Sequence, residues 1–149
     1  MSDYTTAIDD ARRVEGRIIA ACRVAVSRAI DVGIKRAQNE HAWSHRTYAT
    51  RDSFRSAFRY LRRGASGEYG PDGSPGGENA VRLATGTKPH EIAAKSARFL
   101  RFESRGETVF RRRVWHPGTQ PDPYLEQAAR AAGDELRAAF EAELARIFR

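Results

Sequence analysis

The strongest constraint on this chain is an apolar stripe at its start. Tyr4, Ile8, Ala11, Val14, Ile18, Cys22, Ala25, Ala29 and Val32 recur at spacings of three and four. On a 3.6-residue helix those positions form one continuous face. Arg12, Arg13, Arg23, Arg28 and Lys35 occupy the opposite face. Gly16 and Gly33 weaken the helix locally, with a bend or an end expected soon after Gly33. The stripe is longer than one small sheet would cover, so its surplus is expected to meet a neighbouring subunit.

A connection over 38–49 follows. Thr50 is then expected to cap a short helix, since Phe54, Ala57, Phe58 and Leu61 fall at i, i+3, i+4 and i+7 before Arg62-Arg63-Gly64. Residues 64–77 hold six glycines and two prolines and predict a mobile loop with too little apolar surface to order itself. Val81, Leu83 and Thr85 alternate as a strand that Gly86 ends, and 90–94 is a second short strand. Leu100 and Phe102, a turn at 103–106, and the alternation from Thr108 to Trp115 predict a hairpin. Pro117, Pro121 and Pro123 forbid regular pairing. Asp122 and Pro123 suit a helix start, and Leu125, Ala129, Ala132, Leu136, Phe140, Leu144 and Ile147 mark the apolar face of a last helix. The expected fold is α+β: a long N-terminal helix, a short helix, a small antiparallel sheet of about four strands, and a C-terminal helix packed on the sheet.

The 149 residues predict a single domain, 1–149, with one core. No run of eighteen apolar residues suits a membrane span, and Met1-Ser-Asp-Tyr-Thr does not open like a secretory signal. The single cysteine, Cys22, excludes an intramolecular disulfide framework and suits a reducing compartment. Net charge is +7. It is +6 over residues 1–63, +3 over 64–121 and −2 over 122–149, so the excess lies in the first two thirds and is mixed with acids.

Candidate chemistry is sparse. His41 and His45 stand at i, i+4, a spacing two imidazoles on one metal can use, but nothing nearby supplies a third ligand, and polar loop residues are the default. Cys22 sits inside the apolar stripe and suits a small buried hydrophobe better than a nucleophile. The 64–77 segment lacks the Gly-Lys-Ser/Thr of a phosphate-binding loop. Asp9, Asp10, Glu135 and Glu141 suit solvated helix charges. Acid, base and nucleophile do not converge, so no enzyme, cofactor or metal is expected. A nuclease using His41, His45, His90 or His116 with a carboxylate would need those residues in one pocket. The densest basic run is Arg111-Arg112-Arg113, with Arg98, Arg101 and Arg105 before it. It suits a face that meets DNA phosphates or an acidic partner, or one kept soluble by charge.

The most distinctive segment is His116-Pro117-Gly118-Thr119-Gln120-Pro121-Asp122-Pro123-Tyr124-Leu125 before an Ala-rich helix. Physically it is a rigid turn that aims a helix. It also resembles the carboxyl-terminal signature of the HK97 gp10-like family of phage tail-completion and head-tail neck proteins, with Tyr124 where Phe is usual. Gly86-Thr87-Lys88-Pro89-His90-Glu91-Ile92 resembles that family's Gly-Thr-x-x-His-x-Ile segment. Phe99-Leu100-Arg101-Phe102 and Thr108-Val109-Phe110 resemble the hairpin that follows, and Thr50-Arg51-Asp52-Ser53-Phe54 matches only loosely. The resemblance spans roughly residues 79–130.

It implies a structural virion protein (terminator, completion or stopper type) in a closed ring, commonly a hexamer, at the head-tail junction, assembled in the host cytoplasm. Its implied partners are further copies of itself, connector and tail-tube proteins, and packaged DNA by non-specific contact, with no membrane. Arg111, Arg113, His116, Pro117, Gly118 and Tyr124 are the expected interface residues, and Arg98, Arg101 and Arg112 the expected DNA-channel residues. The rival expectation is a small, sequence-independent nucleic-acid-binding protein.

Overall fold

The computed structural model describes residues 2–43, 48–104 and 106–149. The chain is α+β, as expected. Helix α1 (Ser2–Asn39) is followed by a 3-10 turn (Arg51–Ser53), strands β1 (Phe54–Leu61) and β2 (Gly64–Pro71), helix α2 (Pro75–Thr85), strands β3 (His90–Ala93), β4 (Leu100–Ser104), β5 (Glu107–Arg111) and β6 (Arg113–His116), and helix α3 (Tyr124–Ile147). The strands form three two-stranded antiparallel ladders, β1–β2, β3–β6 and β4–β5, rather than one sheet. No helix among the described residues is long and apolar enough to cross a membrane.

Helix α1 runs through Gly33 and ends at Asn39, close to where the 38–49 connection was expected to begin. It packs along α3, which lies on this helix and not on a sheet. The contact is made with small side chains: Ala21, Ala25 and Ala29 of α1 and Ala128, Ala132 and Ala139 of α3 are all buried. Alanines allow the helix axes to approach closely. The buried face of α3 is therefore turned from the expected one, and Leu136 stays exposed at its edge. Arg28 Nε meets Glu135 Oε1 at 2.9 Å across the pair.

The stretch 50–85 differs from expectation. Residues 54–61 are a strand, because they pair along their whole length with 64–71, from Phe54↔Pro71 to Leu61↔Gly64. Thr50 caps no helix; its hydroxyl accepts from Asn79 Nδ2 at 2.8 Å. The 64–77 segment is ordered as β2 and the start of α2. Its glycines let β2 lie directly on α1: a Cβ at Gly67 would stand 2.0 Å from Ile30 Cδ1. In return Gly33 leaves room for the Tyr69 ring, 2.2 Å from where its Cβ would be. Val81, Leu83 and Thr85 are helical. Ser74 Oγ accepts from the Gly77 N–H at 3.2 Å, Pro75 opens the helix, and Gly86 at φ +72° closes it. These are ordinary start and stop devices.

The main core joins Ala37, Phe54, Ala80, Tyr124 and Ala128, with Ile34, Trp43, Tyr69 and Leu83 around them. Asp122 does not cap α3. Its Oδ2 accepts from the Ala42 N–H at 2.8 Å, tying the 40–43 connection to the start of α3.

Candidate functional site

From Thr87 to Thr119 the chain leaves this body and returns. Thr87 and Thr119 exchange both backbone hydrogen bonds, at 3.0 and 3.1 Å. Beyond them β3 pairs with β6 from His90↔His116 to Ala93↔Arg113, and Ala94 donates to the Arg112 carbonyl at 3.1 Å. Residues 95–99 bulge out, and β4–β5 continues from Leu100↔Arg111 to Ser104↔Glu107. The result is one antiparallel arm. No helix packs broadly on its strands, and none of its described residues is buried. Eight Lys/Arg against three Asp/Glu give the segment +5 of the chain's +7. The arm is thus basic for its length, +5 over 33 residues against +6 over residues 1–63.

The two motif segments, 86–92 and 116–125, meet at the base of this arm. Gly118 sits at φ +90°, and a Cβ there would stand 2.3 Å from the Thr87 carbonyl oxygen. Only glycine meets both demands without strain. The Gly118 N–H donates to His116 Nδ1 at 3.1 Å, which makes that nitrogen an acceptor. His90 faces His116 with ring centroids 5.2 Å apart, and its Nδ1 donates to the Lys88 carbonyl at 2.8 Å. Leu83 O accepts from the Asp122 N–H at 3.0 Å, joining the arm's exit to α2. Pro117 is exposed beside Gly118.

The expected surface residues divide. Arg98, Arg101, Arg111, Arg112 and Arg113 are all exposed on the arm. On one face of β4–β5, Arg101 lies opposite Phe110. Arg98 and Arg112 stand over the Phe99 ring, at 5.5 and 5.8 Å from its centroid. Arg113 pairs across β3–β6 with Glu91 at 3.4 Å, with both side chains at least half exposed, so the pair contributes little. Tyr124 is no interface residue. It is 0% exposed, donates to the Ala80 carbonyl at 2.9 Å, and burial together with the nearby Asp122 carboxylate pushes its pKa up to about 12. The motif's tyrosine anchors the core because its ring plugs the joint between α2, α3 and the 40–43 connection.

Sequence reasoning missed the exposed aromatics Phe99, Phe110 and Trp115, the last 70% exposed. The available signal was their interleaving with arginines, an arrangement that offers stacking surface beside positive charge. Basic side chains next to open aromatic faces can hold carboxylates, phosphates or flat apolar groups.

The metal reading fails at His41. Its two ring nitrogens face the Trp43 and Gln38 carbonyls at 2.8 and 3.3 Å, and its ring stacks on Trp43 at 3.6 Å. His45 lies outside the described residues, as does Arg105. Among the described residues no group of three His, Cys, Asp or Glu is placed to hold a metal. Nor do the three described histidines share a pocket: His41 lies against Tyr124, while His90 and His116 lie on the arm.

Comparison with family models, curated proteins and solved structures finds no match to this chain.

Proposed function

We propose that the chain is a non-enzymatic structural subunit of a phage head-tail neck, acting as a ring of identical copies, hexamer-sized, between the head connector and the tail tube. The observation that carries this reading is the arm. A 33-residue ribbon with +5 charge and no buried residue among those described adds little to the core of its own subunit. It is shaped to lie on something else. The two segments that resemble the neck family, 86–92 and 116–125, are the ones that clamp this arm to the body. The first turns of α1 add a second exposed surface, with Tyr4 82% and Ile8 53% exposed.

Light scattering tests the reading, on the protein alone over a range of concentrations and with connector or tail-tube protein added. A hexamer-sized species under either condition supports it. A strict monomer under both overturns it.

The second reading, sequence-independent DNA binding, is favoured by one observation: Arg98, Arg101 and Arg112 cluster on Phe99 and Phe110. It requires duplex affinity that falls steeply with salt, by nearly one logarithmic unit per tenfold salt for each phosphate contacted. A flat or absent gel shift at low salt disposes of it.

A further inference from the structure

We infer that the arm takes single-stranded nucleic acid, holding its phosphates with Arg98, Arg101 and Arg112 and stacking its bases on Phe110 and Trp115. The inference rests on the second reading above for the contact with phosphates, deepens it by the kind of strand, and needs no ring.

The charge is not spread evenly along the arm. Residues 95–101 and 110–113 together hold six Lys/Arg and no Asp/Glu. Glu103 and Glu107 lie beyond them, toward the turn of β4–β5. Glu91 lies before them on β3, in register with Trp115, and its carboxylate meets Arg113 at 3.4 Å. The basic stretch is therefore the middle of the ribbon. Arg98 and Arg112 meet the Phe99 ring rather than a carboxylate, and Arg101 stands in register with Phe110. Like charges this close repel one another until an anion lies among them. Phosphates and carboxylates would serve equally in that respect.

The aromatic rings make the choice. Phe99, Phe110 and Trp115 are 40%, 54% and 70% exposed, and none belongs to the core around Tyr124. A carboxylate gains little from an open ring beside an arginine. A nucleobase gains a stacking surface, and every base has a face to offer. In a duplex those faces are already covered by neighbouring bases. A side chain reaches them only after a step is unstacked, which costs free energy. An unpaired strand presents phosphates and free faces together, and the guanidinium planes themselves are further stacking surfaces. The spacing suits such a strand. Phe110 and Trp115 are five positions apart, which is at most about 17 Å of extended chain. That span takes several nucleotides, within the roughly 4–16 that a single-strand site covers.

The test titrates the full chain, at low salt, into labelled oligothymidylate and into a labelled duplex of mixed sequence, each about twelve nucleotides long. Fluorescence anisotropy gives both affinities. Oligothymidylate is expected to bind about tenfold or more tighter than the duplex, which retains only the phosphate contacts. Phe110→Leu with Trp115→Leu should remove that preference and leave duplex binding unchanged. Both side chains are exposed, so the melting temperature should hold. Arg98→Ala, Arg101→Ala and Arg112→Ala together should weaken both ligands. The parent protein supplies a readout that needs no variant: tryptophan emission should fall as oligothymidylate stacks on Trp115 and hold steady with the duplex, since Trp43 lies against the core. Equal affinity for the two ligands, a preference for duplex, or a preference that survives the loss of both rings overturns the inference and leaves the second reading standing. Emission untouched by oligothymidylate overturns it as well. Binding of neither ligand overturns the inference and the second reading together.

Discussion

The Tyr124 hydroxyl donates to the Ala80 carbonyl at 2.9 Å, which fastens the first residue of α3 to α2 across 44 positions of sequence. Around it Trp43, His41 and Phe54 pack edge-on, with centroids 5.9, 6.2 and 6.4 Å away. Tyr124→Phe keeps the ring and loses one buried hydrogen bond, so stability should fall by about 1 kcal/mol. Tyr124→Ala empties the joint and should cost about 3–5 kcal/mol. Urea unfolding of the two variants checks the ranking; equal losses would mean that the ring is not the anchor.

The same residue sets an alkaline limit. Burial first, and the Asp122 carboxylate second, hold the folded Tyr124 pKa at about 12, above its ordinary 10.0. Folding therefore favours the neutral phenol. That stabilisation is whole below pH 10 and is lost as pH rises from 10 to 12, by roughly 2–3 kcal/mol in all. Tyr69, half-buried beneath Gly33, shifts in the same direction by desolvation. Unfolding free energy should fall over that window in the parent protein and fall less in Tyr124→Phe. Parallel slopes would discard the assignment.

Gly67→Ala drives a methyl into Ile30. The expected cost is about 1–3 kcal/mol, typical of overpacking. Ile30→Val in the same chain should return part of it, and a double-mutant cycle gives the coupling. Simple additivity would show that β2 does not press on α1 at this point.

Gly118→Ala acts at the arm's base. Positive φ and the close Thr87 carbonyl should together cost about 1–3 kcal/mol, confined to that region. Amide exchange should speed up across 87–119 while the α1 and α3 amides keep their protection. Uniform acceleration would mean that the arm and body open as one unit.

Arg98, Arg101 and Arg112 hold nothing in the body, being exposed on the arm. Replacing all three by Ala should change stability by less than about 1 kcal/mol, leaving any change in partner or duplex binding attributable to the surface. A large drop in melting temperature would show that the arm's charges are structural.

Much of the outline was legible from local pattern. The α1 stripe, the β4–β5 hairpin with its turn near Gly106, β3, and the proline-led entry to α3 each carry their own period or breaker. The 50–85 region was not legible, for a definite reason. Phe54 and Phe58 are the residues of β1 that turn from solvent, and a spacing of four is both an even number and a helical step. Ser74-Pro75 and Gly86 did announce α2, and Ala80, Leu83 and Ala84 share its inner face, but the alternation of Val81, Leu83 and Thr85 masks them. At the site, the arginines and the His116–Gly118 turn were visible as residue types. Their gathering on one exposed arm was not, since an arm is defined by what fails to pack on it.

By itself, then, the sequence determined the two long helices at either end, that the chain is α+β, and that its positive charge lies ahead of the last helix, because prolines and apolar periods act over a few residues. Only the tertiary structure decided that residues 64–77 form a strand, a short link and the start of a helix rather than a mobile loop, that Tyr124 is a core anchor rather than a contact residue, and that the first turns of α1 stay exposed. Those outcomes depend on which distant surfaces meet. Ile30 fills the space Gly67 leaves, and Ala80 accepts from Tyr124, and no local period records either pairing.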